Sequence, residues 1–348
     1  MTVRLLGPLT VAPVGFGSLV LSPGLYGPVT DRQGHAALDA ALAASGGVGQ
    51  LLVDTSDSYG AEYHGERLVG RWSAAHRDQV VVSTKFGFRP PKGTGRHAFK
   101  VAYAFGELAV NGSPELVRGY ALGSLRRLGA ERIDLLSPHF PDPVVPIGET
   151  VGAIAELVHE GLVANVGVAN VSAAQLAEAA AVCRIAAVQV EWSMWHHPDP
   201  DLLAVADRHG IGVVAWGPLG SGFLAGSLEQ PPSGDFRRAA PRLSGPNLAL
   251  NTARYARVRA LAGEWGVTPA QLALAWLLRQ HPSVVPIPGS RTPRHIAENA
   301  AAAEVRLAAD QWALLDEALD GFVPVGASLL DGQPGSGIAM PAGRRPGR

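Results

Sequence analysis

Long apolar runs are absent from this chain of 348 residues, cysteine is nearly absent, and neither acidic nor basic residues dominate. The single cysteine, Cys183, excludes a disulfide within the chain and indicates a reducing compartment, which predicts a cytoplasmic protein. No stretch of about 18 uninterrupted apolar residues predicts a membrane span. A formal net charge of −1 argues against the strongly basic surface that nucleic-acid binding requires.

The N-terminal stretch is apolar after Arg4, as a signal peptide would be, but prolines and glycines interrupt it. Pro8, Pro13 and Gly15 fall inside the stretch, and no small-x-small cleavage pattern follows. We therefore expect no signal peptide.

Short apolar or β-branched runs alternate with helical patterns, and hydrophobic residues make up 47% of the chain. Strands are predicted at residues 14–21, 51–55, 80–84, 133–136, 164–168, 187–190, 212–215 and 284–287. Helices are predicted at residues 32–44, 113–128, 147–160, 172–182, 199–209 and 268–280. Several strands are continuous apolar runs, which is typical of strands buried on both faces in a parallel sheet. The pattern predicts a single α/β domain over residues 1–320, folded as a (β/α)8 TIM barrel.

An open doubly wound sheet is the alternative fold. It needs a dinucleotide turn with three glycines after the first strand, and Gly15-Phe16-Gly17 lacks the third. A short hairpin at residues 5–11 is predicted to plug one end of the barrel. Residues 88–112 and 223–251 are predicted to form long loops over the active face. Residues 321–348 are rich in glycine and proline, which predicts a disordered tail.

Four polar residues stand at or after the ends of predicted strands, where a barrel carries its active site. Asp54 and Tyr59 follow the second strand, Lys85 the third and His139 the fourth. Carbonyl reduction needs a hydride donor and a proton for the developing alkoxide. A tyrosine hydroxyl, with an ordinary pKa near ~10, can supply that proton when a neighbouring ammonium stabilises the tyrosinate. A carboxylate can hold the lysine in place, and a histidine can orient the carbonyl oxygen.

These motifs resemble those of the aldo-keto reductase family, and the similarity runs from about residue 14 to about residue 319. The family's Asp-Thr-Ala-x-x-Tyr-Gly pattern appears as Asp54-Thr55-Ser56-Asp57-Ser58-Tyr59-Gly60, and its Thr-Lys pattern appears as Thr84-Lys85. Its Asp-Leu-x-x-x-His-x-x-Asp pattern appears as Asp134-Leu135-Leu136-Ser137-Pro138-His139-Phe140-Pro141-Asp142. Its Gly-x-Ser-Asn pattern appears as Gly167-Val168-Ala169-Asn170. The resemblance implies that Tyr59 donates the proton. It also implies that Lys85 and Asp54 tune the tyrosine and that His139 orients the substrate.

The resemblance implies NADPH, or NADP+, as the cofactor. Asn170 and Gln189 resemble the pair that binds the nicotinamide carboxamide, and Trp216 resembles the aromatic residue that stacks on the nicotinamide ring. Residues 286–291 resemble the segment that cradles the adenosine phosphate, and 298–299 the pair that binds adenine. The further residues implied to bind cofactor are Gly17, Ser18, Gly217, Pro218, Leu219, Ser221, Gly289, Ser290, Arg291, His295, Glu298 and Asn299.

Three segments, residues 17–27, 235–237 and 268–277, are most similar to the bacterial and plant aldehyde, perakine or pyridoxal reductase-like branch of the family. Other positions depart from the family pattern. Ala169 replaces the usual serine, and Pro138 and Phe140 are expected to reshape the substrate pocket around His139. His295 stands where many members have arginine or glutamine, which leaves the preference for NADPH over NADH open.

Other functions are compatible with the same residues. One is a regulatory subunit that binds NADPH with little turnover, and another is net oxidation of an alcohol by NADP+. The substrate is expected to be a small-molecule carbonyl compound, such as a keto-sugar, pyridoxal, a small aromatic aldehyde or an intermediate of secondary metabolism. The adjacent His196 and His197 lack acidic or cysteine partners at a metal-ligand spacing, so no metal site is predicted. The sequence predicts no oligomeric state.

Overall fold

The computed structural model describes residues 2–88, 99–103, 106–226, 231, 235–320 and 322–327. Its strands are β1 (Arg4–Leu6), β2 (Leu9–Val11), β3 (Phe16–Gly17), β4 (Leu51–Asp54), β5 (Val80–Phe86), β6 (Phe99–Tyr103), β7 (Gly106–Val110), β8 (Leu135–Pro138), β9 (Val166–Ala169), β10 (Ile185–Glu191), β11 (Gly212–Trp216) and β12 (Val284–Pro286). Its helices are α1 (Asp31–Ala44), α2 (His64–Ser73), α3 (Pro114–Leu128), α4 (Ile147–His159), α5 (Ala173–Val182), α6 (Pro200–His209), α7 (Gly245–Arg254), α8 (Ala256–Glu264), α9 (Pro269–Gln280), α10 (Pro293–Ala301) and α11 (Ala309–Leu319).

Eight of the described strands form one parallel sheet in the order β3-β4-β5-β8-β9-β10-β11-β12, and its two outer strands meet. The Gly15 N–H donates to the Pro286 carbonyl oxygen over 2.9 Å. A Cβ at Gly17 would lie 2.7 Å from the Ile287 carbonyl oxygen, so a side chain there would separate the two backbones. The prediction of a parallel (β/α)8 barrel is confirmed, and the alternative of an open doubly wound sheet is wrong.

Local sequence explains where several outer helices begin. Capping boxes open α1, α5 and α9, where Thr30, Ser172 and Thr268 each accept from the backbone N–H three residues further on. Proline occupies the first helical position of α3, α6 and α9, where its missing N–H has no partner to lose. The predicted helices agree with the structure within one residue at each end.

The sequence patterns do not predict α2, α7, α8, α10 or α11. Helix α2 begins directly after Tyr63, which has a left-handed backbone (φ 61°) and offers no side-chain cap. Helix α7 begins inside the segment predicted as a long loop, at Gly245. Strand β5 continues two residues beyond its predicted end, so that Lys85 lies within the strand instead of after it.

The N-terminal hairpin closes one end of the barrel, as predicted. Strands β1 and β2 pair antiparallel, and the Leu6 and Val11 side chains are fully buried. They pack with residues that line the barrel interior, among them Leu52 and Val214. Gly212 begins β11 beneath the hairpin, where a Cβ would lie 2.5 Å from a Leu6 methyl carbon. This end of the barrel is therefore a close-packed apolar plug.

The opposite end carries the long loops, which are described in part. Strands β6 and β7 form an antiparallel hairpin within residues 88–112, while 89–98 and 104–105 lie outside the described residues. In the second loop, 227–230 and 232–234 also lie outside them. Within the described ranges, no helix has both the length and the apolar character needed to cross a bilayer.

The boundary between the barrel domain and the tail at residue 320 stays a prediction. Residues 322–327 contact the barrel, since the Val325 N–H donates to Asn251 Oδ1 over 2.7 Å. The Arg254 guanidinium also donates to the Val323 carbonyl oxygen over 2.7 Å. The rest of the predicted tail, residues 328–348, lies outside the described residues.

Candidate active site

A buried ion pair lies at the centre of the polar end of the barrel. Lys85 Nζ donates to both carboxylate oxygens of Asp54, over 2.8 and 2.7 Å, and to the Thr55 carbonyl oxygen over 2.8 Å. The side chains of Lys85 and Asp54 are only 1% and 2% exposed. Burial lowers the pKa of the Lys85 ammonium below its ordinary value, while Asp54 opposes that effect. Adjacent strands thus hold a charge pair in a place with little water.

Tyr59 lies above this pair on the segment that follows β4. Its ring centroid is 5.1 Å from Lys85 Nζ. The Tyr59 and His139 rings meet edge to face, with their centroids 6.0 Å apart. The four residues predicted to carry the chemistry therefore come together, although they lie in or after three different strands.

His139 follows β8 and is held from several sides. Its backbone N–H donates to the Phe86 carbonyl oxygen over 2.8 Å, and its Nδ1 lies 3.0 Å from Ser56 Oγ. The Phe88 ring packs 4.5 Å from the imidazole. Burial, and secondarily the Lys85 charge, hold the pKa of His139 well below its ordinary value. The imidazole is therefore neutral at neutral pH.

Asn170 connects the histidine segment to β11. Its backbone is left-handed (φ 57°). Its Nδ2 donates to the His139 carbonyl oxygen over 2.9 Å, and its Oδ1 accepts from Trp216 Nε1 over 3.0 Å. Gln189, on β10, donates from Nε2 to Asp54 Oδ1 over 2.9 Å. The structure thus places Gln189 against the ion pair and links Trp216 through Asn170 to the His139 backbone, and the roles of these residues toward a nicotinamide stay predictions.

The turn after β11 contains the predicted residues Gly217, Pro218, Leu219 and Ser221. Gly220, Ser221 and Gly222 are consecutive residues with positive φ (53°, 58° and 95°), and successive N–H groups in such turns can form an anion-binding concavity. Ser18, at the end of β3, is fully buried, and its Oγ has no hydrogen-bond partner among the described residues. A buried hydroxyl without a partner and a turn of this kind each fit a phosphate-bearing cofactor.

The residues predicted to bind the adenosine part gather where β12 leads into α10: Gly289, Ser290, Arg291, His295, Glu298 and Asn299. A Cβ at Gly289 would lie 2.6 Å from the Gly17 carbonyl oxygen, so this glycine serves barrel closure. The exposed Arg291 donates to the carbonyl oxygens of Tyr26 and Pro28, over 2.8 and 2.9 Å. Sequence patterns predicted Arg291 as a phosphate ligand and missed that it also fastens the segment after β3.

Two further contacts were not anticipated from sequence. Ser56 hydrogen-bonds His139, and the Arg237 guanidinium lies 4.9 Å from the Tyr26 ring centroid while it also pairs with Asp235. Burial raises the pKa of the Tyr26 hydroxyl, so Tyr26 is neutral. The serine within the segment that carries Asp54 and Tyr59 was the available signal for the first contact.

The fold and the site define an α/β barrel with a buried lysine–carboxylate ion pair, and a tyrosine and a histidine close to it, at the carboxyl ends of its strands. The sequence profile described as the Aldo/keto reductase family matches residues 13–320. The aldo-keto reductase yakc [NADP(+)] of Schizosaccharomyces pombe is 33% identical over 346 residues, which cover 97% of this chain and 96% of that protein. The chain therefore belongs to the aldo/keto reductase family and is an oxidoreductase that acts on carbonyl or alcohol groups.

Solved structures agree with this assignment. A glycerol dehydrogenase from Gluconobacter oxydans superposes with a TM-score of 0.78 at 27% identity, covering 93% of this chain and 96% of its own. An aldo-keto reductase from Klebsiella pneumoniae in complex with NADPH superposes with a TM-score of 0.67 at 25% identity, covering 91% and 95%. The predicted family is confirmed, and its aldehyde, perakine or pyridoxal reductase-like branch stays a prediction.

Proposed function

We propose that the protein reduces an aldehyde or ketone to an alcohol with NADPH and that Tyr59 donates the proton. The buried Lys85–Asp54 pair beside Tyr59 carries this proposal, because it places a positive charge 5.1 Å from the ring centroid of the tyrosine whose hydroxyl must lose a proton. The similarity to the fission-yeast aldo-keto reductase yakc [NADP(+)] and to the Klebsiella enzyme in complex with NADPH supports NADP(H) as the cofactor.

Bound NADPH supplies the hydride. Tyr59 gives its hydroxyl proton to the carbonyl oxygen as negative charge develops there. Lys85 stabilises the tyrosinate that remains, and its effect is strong because the ammonium is buried, where charges are poorly screened. Asp54 keeps Lys85 positioned, and the Gln189 amide fixes Asp54 in turn. The neutral His139 offers a hydrogen bond to the same carbonyl oxygen.

In this proposal Trp216 would hold the nicotinamide ring, and Asn170 Oδ1 fixes the indole by accepting from Trp216 Nε1. The turn at 217–221 and Ser18 bind the diphosphate. Arg291, with His295 nearby, meets the adenosine phosphate, and residues 298–299 meet adenine. The buried orphan hydroxyl of Ser18 and the left-handed turn support this arrangement. A small-molecule carbonyl substrate and a cytoplasmic location complete the proposal.

The Tyr59→Phe variant tests the proton donor. We expect its kcat to fall by on the order of 10³-fold, since general acid catalysis contributes about 10²- to 10⁴-fold, while its affinity for NADPH is retained. The assay follows loss of NADPH absorbance with a panel of aldehydes, keto-sugars and pyridoxal, beside NADPH titration by tryptophan fluorescence.

Tyr120→Phe is the matched control. The Tyr120 hydroxyl is buried and has no hydrogen-bond partner within the described parts of the chain. Its removal is expected to leave turnover unchanged. If Tyr59→Phe kept most of its rate, the assignment of the proton donor would be wrong. NADPH binding without turnover of any substrate would favour a regulatory subunit.

Net alcohol oxidation is the second candidate, favoured by the similarity to a glycerol dehydrogenase. The same residues serve it, with Tyr59 accepting the alcohol proton instead of donating one. NADP+ incubated with polyols and simple alcohols would form NADPH if this direction is used. The ratio of the two rates at one pH decides between the directions.

A further inference from the structure

We propose that Ser56 donates a hydrogen bond to Nδ1 of His139 and so fixes the tautomer that carries its proton on Nε2. Ser56 is thus a positioning residue that acts through His139. The inference rests on the proposed reductase function for its catalytic meaning, and on the contacts of Ser56 for its structural content.

The Ser56 side chain is fully buried, with Oγ 3.0 Å from His139 Nδ1. Two groups of Ser58 reach the same oxygen. The Ser58 backbone N–H donates to Ser56 Oγ over 3.2 Å, and the Ser58 hydroxyl lies 2.9 Å away. When the Ser58 hydroxyl also donates, both lone pairs of Ser56 Oγ are occupied. Its one proton then points to an acceptor, and His139 Nδ1 is the short contact that remains.

The Ser58 hydroxyl, 2.9 Å from Ser56 Oγ, competes as an acceptor only when it does not donate, and His139 Nδ1 would then carry the proton. The two other competing acceptors are less well placed. The Lys85 carbonyl oxygen lies 3.3 Å from Ser56 Oγ, and Asp57 Oδ1 lies 3.4 Å away. Both distances exceed the roughly 2.7–2.8 Å that is usual between a hydroxyl and an oxygen acceptor. The Lys85 carbonyl also accepts the Asp57 backbone N–H over 3.0 Å. With the Ser58 hydroxyl donating, the geometry therefore favours the imidazole nitrogen over these two oxygens as the acceptor of the Ser56 proton.

The consequence for His139 follows from its neutral state. A neutral imidazole carries one proton, so a hydrogen bond accepted at Nδ1 puts that proton on Nε2. The opposite tautomer would present a lone pair at Nε2, which repels a carbonyl oxygen. Rotation of the imidazole that would swap its two nitrogens is opposed by packing, because the ring centroids of Phe88 and Phe140 lie 4.5 and 5.5 Å from the imidazole centroid. The backbone is also held, since the His139 backbone N–H donates to the Phe86 carbonyl oxygen. The hydrogen bond from Ser56 to His139 Nδ1, called the lock below, thus keeps the Nε2–H of His139 available as a donor to the substrate oxygen.

The sequence around Ser56 agrees with this role. The family pattern quoted above has alanine at this position, between the carboxylate and the tyrosine, and this chain has serine. Alanine would leave Nδ1 without the hydroxyl donor. The substitution adds one buried hydroxyl at the point where the histidine tautomer is decided.

Nitrogen-15 NMR of histidine-labelled full-length protein tests the lock without any turnover. His139→Gln identifies the resonances of His139. We expect wild-type His139 to show an unprotonated Nδ1 and a protonated Nε2. In Ser56→Ala we expect shifts averaged between tautomers. Ser73→Ala is the matched control, because Ser73 is also a buried serine but donates to Gly70 on α2. It should leave the His139 pattern unchanged.

Kinetics test the catalytic meaning. Loss of one neutral hydrogen bond predicts a fall in kcat of about fivefold to tenfold for Ser56→Ala, with the KM for NADPH unchanged. Ser56→Cys retains a weak donor of similar size and should fall between Ser56→Ala and the wild type.

Several outcomes overturn the inference. A proton on Nδ1 in the wild type, or an unaltered His139 pattern in Ser56→Ala, removes the lock. If Ser56→Ala shows a mixture of His139 tautomers but an unchanged kcat, Ser56 has no role in catalysis. If wild type turns over no carbonyl at all, the proposed function fails while the NMR result still decides the lock.

Discussion

The two ends of the barrel bury their side chains by different means. At the hairpin end, Leu6 and Val11 are fully buried by apolar neighbours, and glycine at 212 lets the hairpin approach β11 closely. At the opposite end, Lys85 and Asp54 are about equally buried, but they are held by hydrogen bonds to each other, to the Thr55 carbonyl oxygen and to Gln189. The hairpin end gains stability from the removal of apolar surface from water, whereas the polar end loses free energy of folding by removing two charges from water.

The difference teaches where each end is sensitive. Apolar packing depends on volume, so the hairpin end should respond to a lost methyl group in stability and hardly at all in chemistry. A buried ion pair contributes little net stability, but removing one partner lowers the free energy of unfolding strongly because the other charge stays buried and unpaired. The polar end should therefore lose both stability and turnover when a single charge is deleted.

Lys85→Met should have the largest effect. We expect kcat to fall by about 10²- to 10⁴-fold, because the tyrosinate loses its stabilising charge. We also expect the free energy of unfolding to fall by about 3–5 kcal/mol, because Asp54 is left buried without its cation. Urea unfolding and NADPH oxidation measure the two effects.

The double variant Asp54→Asn with Lys85→Met separates these effects. It removes both charges, so most of the lost stability should return while turnover stays low. A double variant as unstable as Lys85→Met alone would show that the pair contributes to folding in the way an apolar contact does. The proposed difference in how the two ends of the barrel are stabilised would then be wrong.

Leu6→Ala at the hairpin end should have the next largest effect. We expect about 2–5 kcal/mol loss in the free energy of unfolding, because a fully buried leucine leaves a cavity in a close-packed plug. The kcat of the folded fraction should not change, since Leu6 lies at the end away from Tyr59. Leu5→Ala, on the exposed face of the same strand, is the control and should be nearly neutral. A large change in kcat for Leu6→Ala would show that the ends are coupled.

The smallest effect concerns the pH dependence of stability at His139. Its folded-state pKa lies well below the ordinary value of 6.5, so the unfolded chain binds more protons at this site once the pH falls below about that value. Wild type should therefore lose stability as the pH falls from 7 to 5, with this site contributing at most about 1.4 kcal/mol per pH unit.

His139→Gln removes this titration, so its stability should fall less than that of wild type over the same range. Urea unfolding at pH 7, 6 and 5 for both proteins gives the difference directly, because the other titrating groups are shared. Parallel curves would mean that His139 has an ordinary pKa, and its neutral state would need another explanation.

Sequence patterns predicted the barrel well and its outer helices unevenly. Strands buried on both faces and helices opened by Thr30, Ser172 or Thr268 carry local signals strong enough to place them. Helix α2 has no such signal, because its N-terminus follows a left-handed Tyr63. Helix α7 starts with glycine and proline, which local rules assign to a loop. In both cases tertiary packing, which the local patterns do not describe, allows the helix to form.

In the site, too, some features could be predicted from local sequence and others could not. Asp54, Tyr59, Lys85 and His139 could be predicted because each is a chemically distinctive residue at a strand end, and a barrel brings strand ends together. Arg291 was predicted as a cofactor ligand, but its hydrogen bonds to Tyr26 and Pro28 join segments more than 260 positions apart, and no local pattern indicates them.

The sequence by itself predicted the parallel barrel and placed Asp54, Tyr59, Lys85 and His139 at strand ends, because periodicity, strand ends and residue type are local properties. The resemblance of its motifs predicted the aldo/keto reductase family, and the catalytic roles of the four residues stay a prediction. The tertiary structure alone decided which partners those residues take. Gln189 reaches Asp54 across 135 positions, and Ser56 reaches His139 across 83. Such choices depend on differences of a few tenths of an ångström between competing donors and acceptors, and only the closed barrel sets distances at that scale.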